Sequence, residues 1–463
     1  MPKLIIAGIA VAMTALLLTS SVQAQSPTAS PASKQAGFKT PAEQQQEIDD
    51  LEKQSREAYA AEKWVALYVA NMKLAKLRPY EPEYLVNIVY ACAHLGRKST
   101  AYHFMLLLQQ QGYFFDFSST EDTVDIRDTE AYGYINNLLI EAGAAGGDGT
   151  VEFKLPGKAS DVQAIAWDSS RERFLVGTRQ EGKLFAVSGE GKKDELVKAN
   201  SKNGLWSITG LAVDADRNRL WLVSSATPAF SGYSETDKNQ GALFELDLKT
   251  LEILGRYAPP ADVMSHELAN VAVTEGGDVY VMDRVTPIIY RKTAGGESLE
   301  AFFASPELVS LRDIAVTPDN SRLFVADAYK GILAIDPAAQ QAVMLSVPET
   351  LNLSGILGME YDSGQLVMIQ GGFTPQRIVR LELDGKGTGV EAVVPMATAL
   401  EEFDHPGIGT IKGDSLYYVA NSGASEDPGI VMNTPLDAGV EAAAPDAEDL
   451  HNAMKAQMQS KKQ

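Results

Sequence analysis

A unit of three short β-type runs recurs six times in the C-terminal two-thirds of the chain, and this repetition constrains the fold most. The clearest copy has its runs at 311–316, 322–327 and 331–336, with a turn of polar residues and proline between the first two. The unit returns roughly every 45 residues, a period that is typical of propellers and other repeat arrays. The repetition therefore predicts a β-propeller.

The three runs differ in composition in the way that a propeller blade requires. The first runs contain small residues such as Ala272 and Ala315, which suit an inner strand crowded against a central channel. The second runs, for example 279–282 and 416–419, are β-branched and aromatic, as expected for a buried sheet. Turn residues such as Asp319 join the first run to the second.

The number and closure of the blades follow from the fourth runs. A weaker fourth run is present in five units and missing from the sixth. The segment 151–155, just before the first unit, supplies the missing strand and removes the last exposed sheet edge. We predict a six-bladed β-propeller over 150–436, and a β-sandwich or irregular β-solenoid is the alternative.

The N-terminus has the features of a secretory signal peptide. A single Lys3 precedes an apolar stretch at 4–18, and Val22-Gln23-Ala24 gives a small-x-small cleavage pattern. An uncleaved anchor is the alternative, although the apolar run is short for a membrane span. We predict a signal peptide at 1–24 and a flexible leader at 25–44. A periplasmic or secreted protein is expected, without membrane insertion after cleavage.

Charge and cysteine content narrow the classes of partner. The formal net charge of −21 disfavours nucleic acid and anionic membranes as partners. Cys92 is the one cysteine, so no intrachain disulfide can form, and the fold depends on its core. The polar residues 437–463 are predicted to be a disordered tail.

Residues 45–143 have a helical apolar pattern, and Gly96 and Gly112 are placed to end two of the helices. The block 84–111 resembles a tetratricopeptide repeat, and we predict a tetratricopeptide-like helical domain over 45–143 with a linker at 144–149. The resemblance implies a groove for a peptide or protein partner. A helical cap that only packs on the propeller is the alternative.

Candidate ligand-binding residues are expected on one face of the propeller. The loops before the first strand and after the second strand of each blade open around the channel mouth, where polar residues and the longest insertions gather. The candidates for ligand binding are Asn270, Asp283, Arg284, Arg312, Asp327, Asp404 and Asn421. His405 is a candidate base or ligand, with loop hydrogen bonding as its alternative role. Turn capping is the alternative for Asp283 and Asp327.

The phrase at 313–327, Asp-Ile-Ala-Val-Thr-Pro-Asp-Asn-Ser-Arg-Leu-Phe-Val-Ala-Asp, resembles blades of the gluconolactonase/senescence-marker-protein family and of NHL-type propellers. The resemblance implies one divalent ion, often calcium, at the channel mouth and hydrolysis of a lactone. It makes Asp283, Asp313 and Asp327 candidate metal ligands. The chain departs from the family where an Asn ligand is replaced by Arg312, because an arginine repels a cation and favours an anion.

Two functions therefore remain open. The first is a binding protein that takes a small ligand or a protein partner at the channel mouth, without a required cofactor. The alternative is a divergent metal-dependent lactonase or related hydrolase that uses a divalent cation, with Asp313 and His405 as catalytic candidates. The sequence leaves open whether the protein is an enzyme.

Overall fold

A computed structural model describes residues 22–23, 41–189, 191–261, 264–423 and 426–440. Most of the predicted signal peptide, of the predicted leader and of the predicted tail lies outside the described residues. Within these ranges, no helix combines the length and the apolar character that crossing a bilayer requires.

Five α-helices in the described residues form the N-terminal segment, and each packs against the next along the chain. They are α1 (Pro41–Ala60), α2 (Trp64–Leu77), α3 (Pro82–His94), α4 (Lys98–Gln110) and α5 (Glu130–Glu141), with 3-10 turns at Phe117–Ser119 and Glu121–Ile126. Gly96 and Gly112 follow α3 and α4 with φ angles of 65° and 71°, the left-handed conformation that favours glycine after a helix. The predicted helical segment is confirmed, and its tetratricopeptide character stays a prediction.

Six antiparallel sheets follow the helices, and each has the chain order of a propeller blade. Two short strands, β1 (Val22–Gln23) and β2 (Gly146–Gly147), add to the outer edges of blades 4 and 5, and β3 (Thr150–Lys158) joins blade 6. Blade 1 contains β4 (Val162–Asp168), β5 (Arg173–Thr178), β6 (Lys183–Ser188) and β7 (Lys193–Lys198). Blade 2 contains β8 (Ser207–Asp214), β9 (Arg219–Ser225), β10 (Gly241–Asp247) and β11 (Ile253–Tyr257). Blade 3 contains β12 (Leu268–Val273), β13 (Val279–Asp283), β14 (Ile288–Lys292) and β15 (Glu300–Ala304).

The remaining blades have the same arrangement. Blade 4 contains β16 (Leu311–Val316), β17 (Leu323–Asp327), β18 (Gly331–Asp336) and β19 (Gln341–Met344). Blade 5 contains β20 (Gly358–Asp362), β21 (Gln365–Gln370), β22 (Arg377–Leu383) and β23 (Val390–Thr398). Blade 6 contains β24 (Gly409–Lys412), β25 (Ser415–Val419) and β26 (Pro428–Pro435). Short 3-10 turns lie at Ala159–Asp161 and Glu235–Asp237. The six-bladed propeller with a preceding helical segment confirms the predicted fold class.

The second strand of each blade is buried along almost its whole length because both of its faces pack against neighbouring blades. In β13 and β17 every residue is buried, although successive side chains point to opposite faces of the sheet. This explains why the second runs of the sequence are continuously apolar rather than alternating.

The propeller ring closes with a strand from the N-terminal side of the domain. β3 pairs antiparallel with β26, with Phe153 opposite Val431, and so becomes the outer strand of blade 6. The side chain of Phe153 is buried against Phe174, with 5.2 Å between the ring centroids. The closing strand predicted at 151–155 is therefore confirmed.

The helical segment contacts the propeller at blades 4 and 5. The guanidinium of Arg377 donates to the carbonyl oxygen of Gln111 (2.9 Å) and to Oε1 of Gln370 (2.8 Å). Burial lowers the pKa of Arg377 to about 9, and its hydrogen-bond acceptors are neutral groups. The guanidinium of Arg78 also stacks over the Tyr329 ring at 3.8 Å. These contacts fix the helices on the face where the loops of blades 4 and 5 open.

Replacing Phe153 by alanine tests the contribution of the closing strand. We expect Phe153→Ala to lower the free energy of unfolding by about 3 kcal/mol, because it leaves a cavity between blades 6 and 1. Val151→Ala is the matched control on the same strand, since Val151 is 45% exposed. Urea unfolding measures both, and an equal effect of the two substitutions would contradict the role given to Phe153.

Candidate ligand site at the channel mouth

The inner strands surround a channel cavity of about 350 Å³. In blades 1 to 4, the pairing of the first strand with the second is interrupted by a bulge near the channel mouth. The bulged residues are Gln163, Thr209, Asn270 and Arg312. A bulge re-aims a side chain from its regular strand direction, and here all four re-aimed side chains are polar. The bulges therefore place polar groups of four blades around one opening.

The carboxylate of Asp313 links three neighbouring blades at this opening. Its Oδ1 accepts hydrogen bonds from Nδ2 of Asn270 in blade 3 (2.6 Å) and from the backbone N–H of Ile314 (2.8 Å). Its Oδ2 accepts from the backbone N–H of Met359 in blade 5 (2.7 Å). Burial raises the pKa of Asp313 to about 6 even though these hydrogen bonds act in the opposite direction. Asp313 is therefore ionised at pH 7 and acts as a positioning residue.

Asn270 connects Asp313 to an arginine through hydrogen bonds. It lies in the left-handed region with φ 43°, and its Oδ1 accepts a hydrogen bond from Nη2 of Arg284 at 2.8 Å. Because Nδ2 of Asn270 donates to Asp313, the amide is held from both ends. The guanidinium of Arg284 is therefore oriented by a chain of hydrogen bonds that begins at Asp313.

Arg284 is one of three arginines that lie close together at the channel mouth. Burial makes the largest contribution to lowering its pKa. The carboxylates of Glu267 and Asp313 favour its charged form, whereas the guanidiniums of Arg312 and Arg179 disfavour it. Such effects decay with distance, so Arg312 and Arg179 both lie near enough to Arg284 to act on its charge. We call Arg179, Arg284 and Arg312 the arginine cluster.

The arginine cluster has unused hydrogen-bonding capacity. Arg312 is exposed, and in the described part of the chain no oxygen accepts a hydrogen bond from its guanidinium. Arg179 donates to the backbone carbonyl of Ser160 at 3.3 Å. Within a chain whose net charge is −21, these three arginines at the channel mouth thus have few hydrogen-bond partners.

A second polar group lies deeper in the channel. In each blade, one residue of the first strand pairs with the same relative position of the second strand, and we call these six first-strand residues the middle ring. Its members are Ala166, Ala212, Ala272, Ala315, Glu360 and Thr410. Four alanines leave room around the one acidic side chain.

Glu360 has no hydrogen-bond donor or ion-pair partner among the residues that the structure describes. Its side chain borders the channel cavity and is half-buried. Burial raises the pKa of Glu360 to about 8, and the negative charge of Asp313 adds to this effect. At pH 7 the carboxyl group is therefore mainly protonated and can donate a hydrogen bond.

Asp283 and Asp327 cap loops and do not face a ligand. Oδ1 of Asp283 accepts from the backbone N–H groups of Glu267, Val285 and Thr286, and its Oδ2 contacts Nδ1 of His266 at 2.6 Å. Asp327 likewise accepts from four backbone N–H groups of the two loops beside it. The carboxylates replace missing backbone partners, as the turn-capping alternative expects.

The remaining sequence candidates lie in the loops of blade 6. Nδ1 of His405 contacts Oδ1 of Asp404 at 3.0 Å, and both side chains are more than half exposed. Asn421 spans its loop by donating to the carbonyl oxygen of Pro428 and accepting from the N–H of Ile430. Asp404, His405 and Asn421 thus serve loop hydrogen bonding, and among the described residues no hydrogen bond or ion pair joins them to Asp313 or the arginine cluster.

The residues present do not fit the divalent-ion site that the family resemblance implies. Asp283 and Asp327 are occupied by backbone N–H groups, and Asp313 is held by three donors. In the ranges that the structure describes, no group of three His, Cys, Asp or Glu side chains could hold a metal ion. The mouth instead offers guanidinium groups.

Two residues of the site were missed in the sequence. Arg179 directly follows the second strand of blade 1, at a position equivalent to the loop residues that were considered in other blades. Glu360 lies within a first run, where four of the six copies have alanine. A charged residue at a position that is otherwise small is the feature of the sequence that indicates a functional role for Glu360.

No protein-family model and no curated protein matches the chain. Similar solved structures include a nidogen/laminin complex, with 13% identity and a TM-score of 0.38 over 50% of this chain and 79% of that chain. Luciferin-regenerating enzyme has 13% identity and a TM-score of 0.44 over 64% of this chain and 98% of that chain. At this level of similarity neither structure informs the function.

The raised pKa of Glu360 predicts a pH-dependent effect of Glu360→Gln on stability. The protonated acid is favoured in the folded state, so its stabilising effect is complete below pH 4.5 and is lost as the pH rises through about 8. We expect the variant to match the wild type at pH 5. At pH 9 the variant should be more stable than the wild type by on the order of 2 kcal/mol, because it lacks the ionised carboxylate. Water in the channel screens that charge, so the gain is smaller than the pKa shift alone would give.

Glu391→Gln is the control, because Glu391 is exposed on the outer strand of the same blade. Thermal unfolding at pH 5 and pH 9 measures both variants. A gain at pH 9 that is equal in Glu360→Gln and Glu391→Gln would contradict the assignment.

Proposed function

We propose that this protein is an exported binding protein whose propeller takes a small anionic ligand, with a carboxylate or phosphate group, at the channel mouth. The observation that carries the proposal is the arginine cluster. Guanidiniums from three blades converge there without an ion-pair partner in the described part of the chain. Periplasmic or secreted location rests on the predicted signal peptide.

The arrangement suits anion recognition for two physical reasons. A guanidinium presents donors in a planar fork that matches carboxylate and phosphate oxygens, often in pairs. Partial burial lowers the local dielectric, so the attraction between Arg284 and an anion is stronger than on an open surface. Asn270 fixes the orientation of Arg284 before a ligand arrives, which reduces the entropy lost on binding.

The helical segment is proposed to support this face. Arg377 and Gln111 join it to blade 5, and Asn352 in the loop before that blade donates to Oε1 of Gln111 at 3.0 Å. These buried contacts favour the cap alternative over a separate module. Recognition of a peptide in the helical groove remains a further proposal that comes from the tetratricopeptide resemblance.

The metal-dependent lactonase alternative has no specific structural observation in its favour. Its proposed ligands Asp283, Asp313 and Asp327 accept hydrogen bonds from the protein itself. Arg312 would oppose a cation at the mouth. An assay of lactone turnover with and without chelator tests this alternative, and metal-dependent turnover would contradict the binding proposal.

Neutralising the arginine cluster should weaken anion binding. We expect Arg312→Gln and Arg284→Gln each to reduce the affinity for hexanoate and inorganic phosphate by about tenfold or more, since each removes a charge-assisted hydrogen bond. Affinity for the wild type should also fall as salt increases. Isothermal titration calorimetry measures both effects.

Arg256→Gln provides the matched control. Arg256 is exposed on the outer strand of blade 2, so the substitution makes the same charge change away from the mouth. Unchanged affinity in Arg256→Gln is expected. If all three variants bind the two anions as the wild type does, the proposed function is wrong.

A further inference from the structure

Glu360 is a half-buried acid on the channel wall that has no hydrogen-bond or ion-pair partner among the described residues. It lies in the middle ring, below the mouth and beside a cavity large enough for a small molecule. Because no protein group bonds to its carboxyl group, that group is available to a ligand atom in the channel. The position of Glu360 therefore suggests a second contact point for a ligand that binds at the mouth.

The distance between the two contact points follows from the inner strands. In blade 4 the middle-ring residue is Ala315, which is three residues beyond Arg312 and two beyond Asp313. At the rise of a β-strand this separates the two levels by about 7–10 Å. A ligand that touches both levels must therefore be elongated.

The walls of the channel define the chemistry of the ligand between these levels. They are formed by the first strands of all six blades, and the surface that these strands expose to the cavity is mainly polar. The middle ring adds the carboxyl group of Glu360 and the hydroxyl group of Thr410. The channel thus suits a small ligand that carries an oxygen atom at the depth of Glu360.

We propose that the ligand is an elongated anion that carries an oxygen acceptor, such as a ketone, about 7–10 Å from its charged group, and that the Glu360 carboxyl donates a hydrogen bond to this oxygen. The charged group would lie at the arginine cluster. This proposal rests on the proposed function and assigns a second subsite to the same channel.

Ligand affinity at this subsite should depend on pH, because only the protonated carboxyl group of Glu360 donates a hydrogen bond. The other titratable side chains that line the channel are Asp313, Tyr361 and Asp362, and the arginine cluster stands at its mouth. Asp313, with a pKa of about 6, is ionised on both sides of the transition of Glu360 near pH 8. Ionisation of Glu360 removes the donor and adds a negative charge beside the ligand. Binding of the oxygen-bearing anion should therefore weaken between pH 7 and pH 9.

Matched pairs of acids test the proposal. Calorimetric titration compares 7-oxooctanoate, 8-oxononanoate and 9-oxodecanoate with octanoate, nonanoate and decanoate, so that the carboxylate and the ketone are separated by roughly six to eight carbon–carbon bonds. At pH 7 we expect at least one oxo acid to bind about tenfold more tightly than the alkanoate of equal length, the gain of one hydrogen bond that fills an empty partner position. This gain should disappear at pH 9.

Two variants separate hydrogen bonding from structural effects. Glu360→Ala should lose the preference for the oxo acid and keep the affinity for the alkanoate. Glu360→Gln should keep the preference at both pH 7 and pH 9, because an amide donates a hydrogen bond at either pH. A structural role of Glu360 would not produce this change in pH dependence.

The outcomes distinguish this inference from the proposed function. If the alkanoates bind and depend on Arg312, but the oxo acids show no preference or the preference survives in Glu360→Ala, the second subsite is refuted and the anion site stands. If neither series binds and Arg312→Gln changes nothing, both proposals are wrong.

Discussion

The hydrogen bonds of one buried carboxylate hold the channel mouth together. Asp313 accepts from Asn270 in the blade before its own and from the backbone of Met359 in the blade after it. The relative position of three blades at the opening therefore depends on this group, and Asn270 in turn orients Arg284. Burial opposes the negative charge of Asp313, so the surrounding donors and the nearby guanidinium are what keep it ionised near neutral pH.

Crowding at the channel axis explains why the site has so few members. Inner strands must approach one another closely, so the middle ring consists mainly of alanine. Glu360 is the exception: burial and the charge of Asp313 raise its pKa, and the channel leaves space beside it. The arginine cluster above it and this acid below it give the channel one charged end and one neutral hydrogen-bond donor at pH 7.

The architecture could be predicted from the sequence because a repeated pattern of apolar and turn residues indicates a repeated arrangement of strands. Six copies of one pattern predicted six blades, and the missing fourth strand predicted closure by β3, since an unpaired edge is unfavourable. The site was less accessible because Asp283 and Asp327, which cap loops, are the same residue type that would bind a metal. Their role depends on which N–H groups surround them, and a single sequence does not contain that information.

Glu360 shows a different limit of the sequence. Its position in the middle ring becomes visible when the six first strands are aligned by their pairing with the second strands, and the bulges near the mouth shift that alignment by one residue. Arg179 and Arg284 come from blades 1 and 3, far apart in the chain, and the ring arrangement of the blades places both at the channel mouth. Convergence of this kind follows from the tertiary fold rather than from local sequence.

The location of a bound anion tests the central claim most directly. Crystals of the protein soaked in selenate, examined by anomalous scattering, should show an anion between Arg179, Arg284 and Arg312, and Arg312→Gln crystals treated in the same way should show a weaker peak there. Absence of a peak at the mouth in the wild-type protein, with selenate bound elsewhere, would contradict the account.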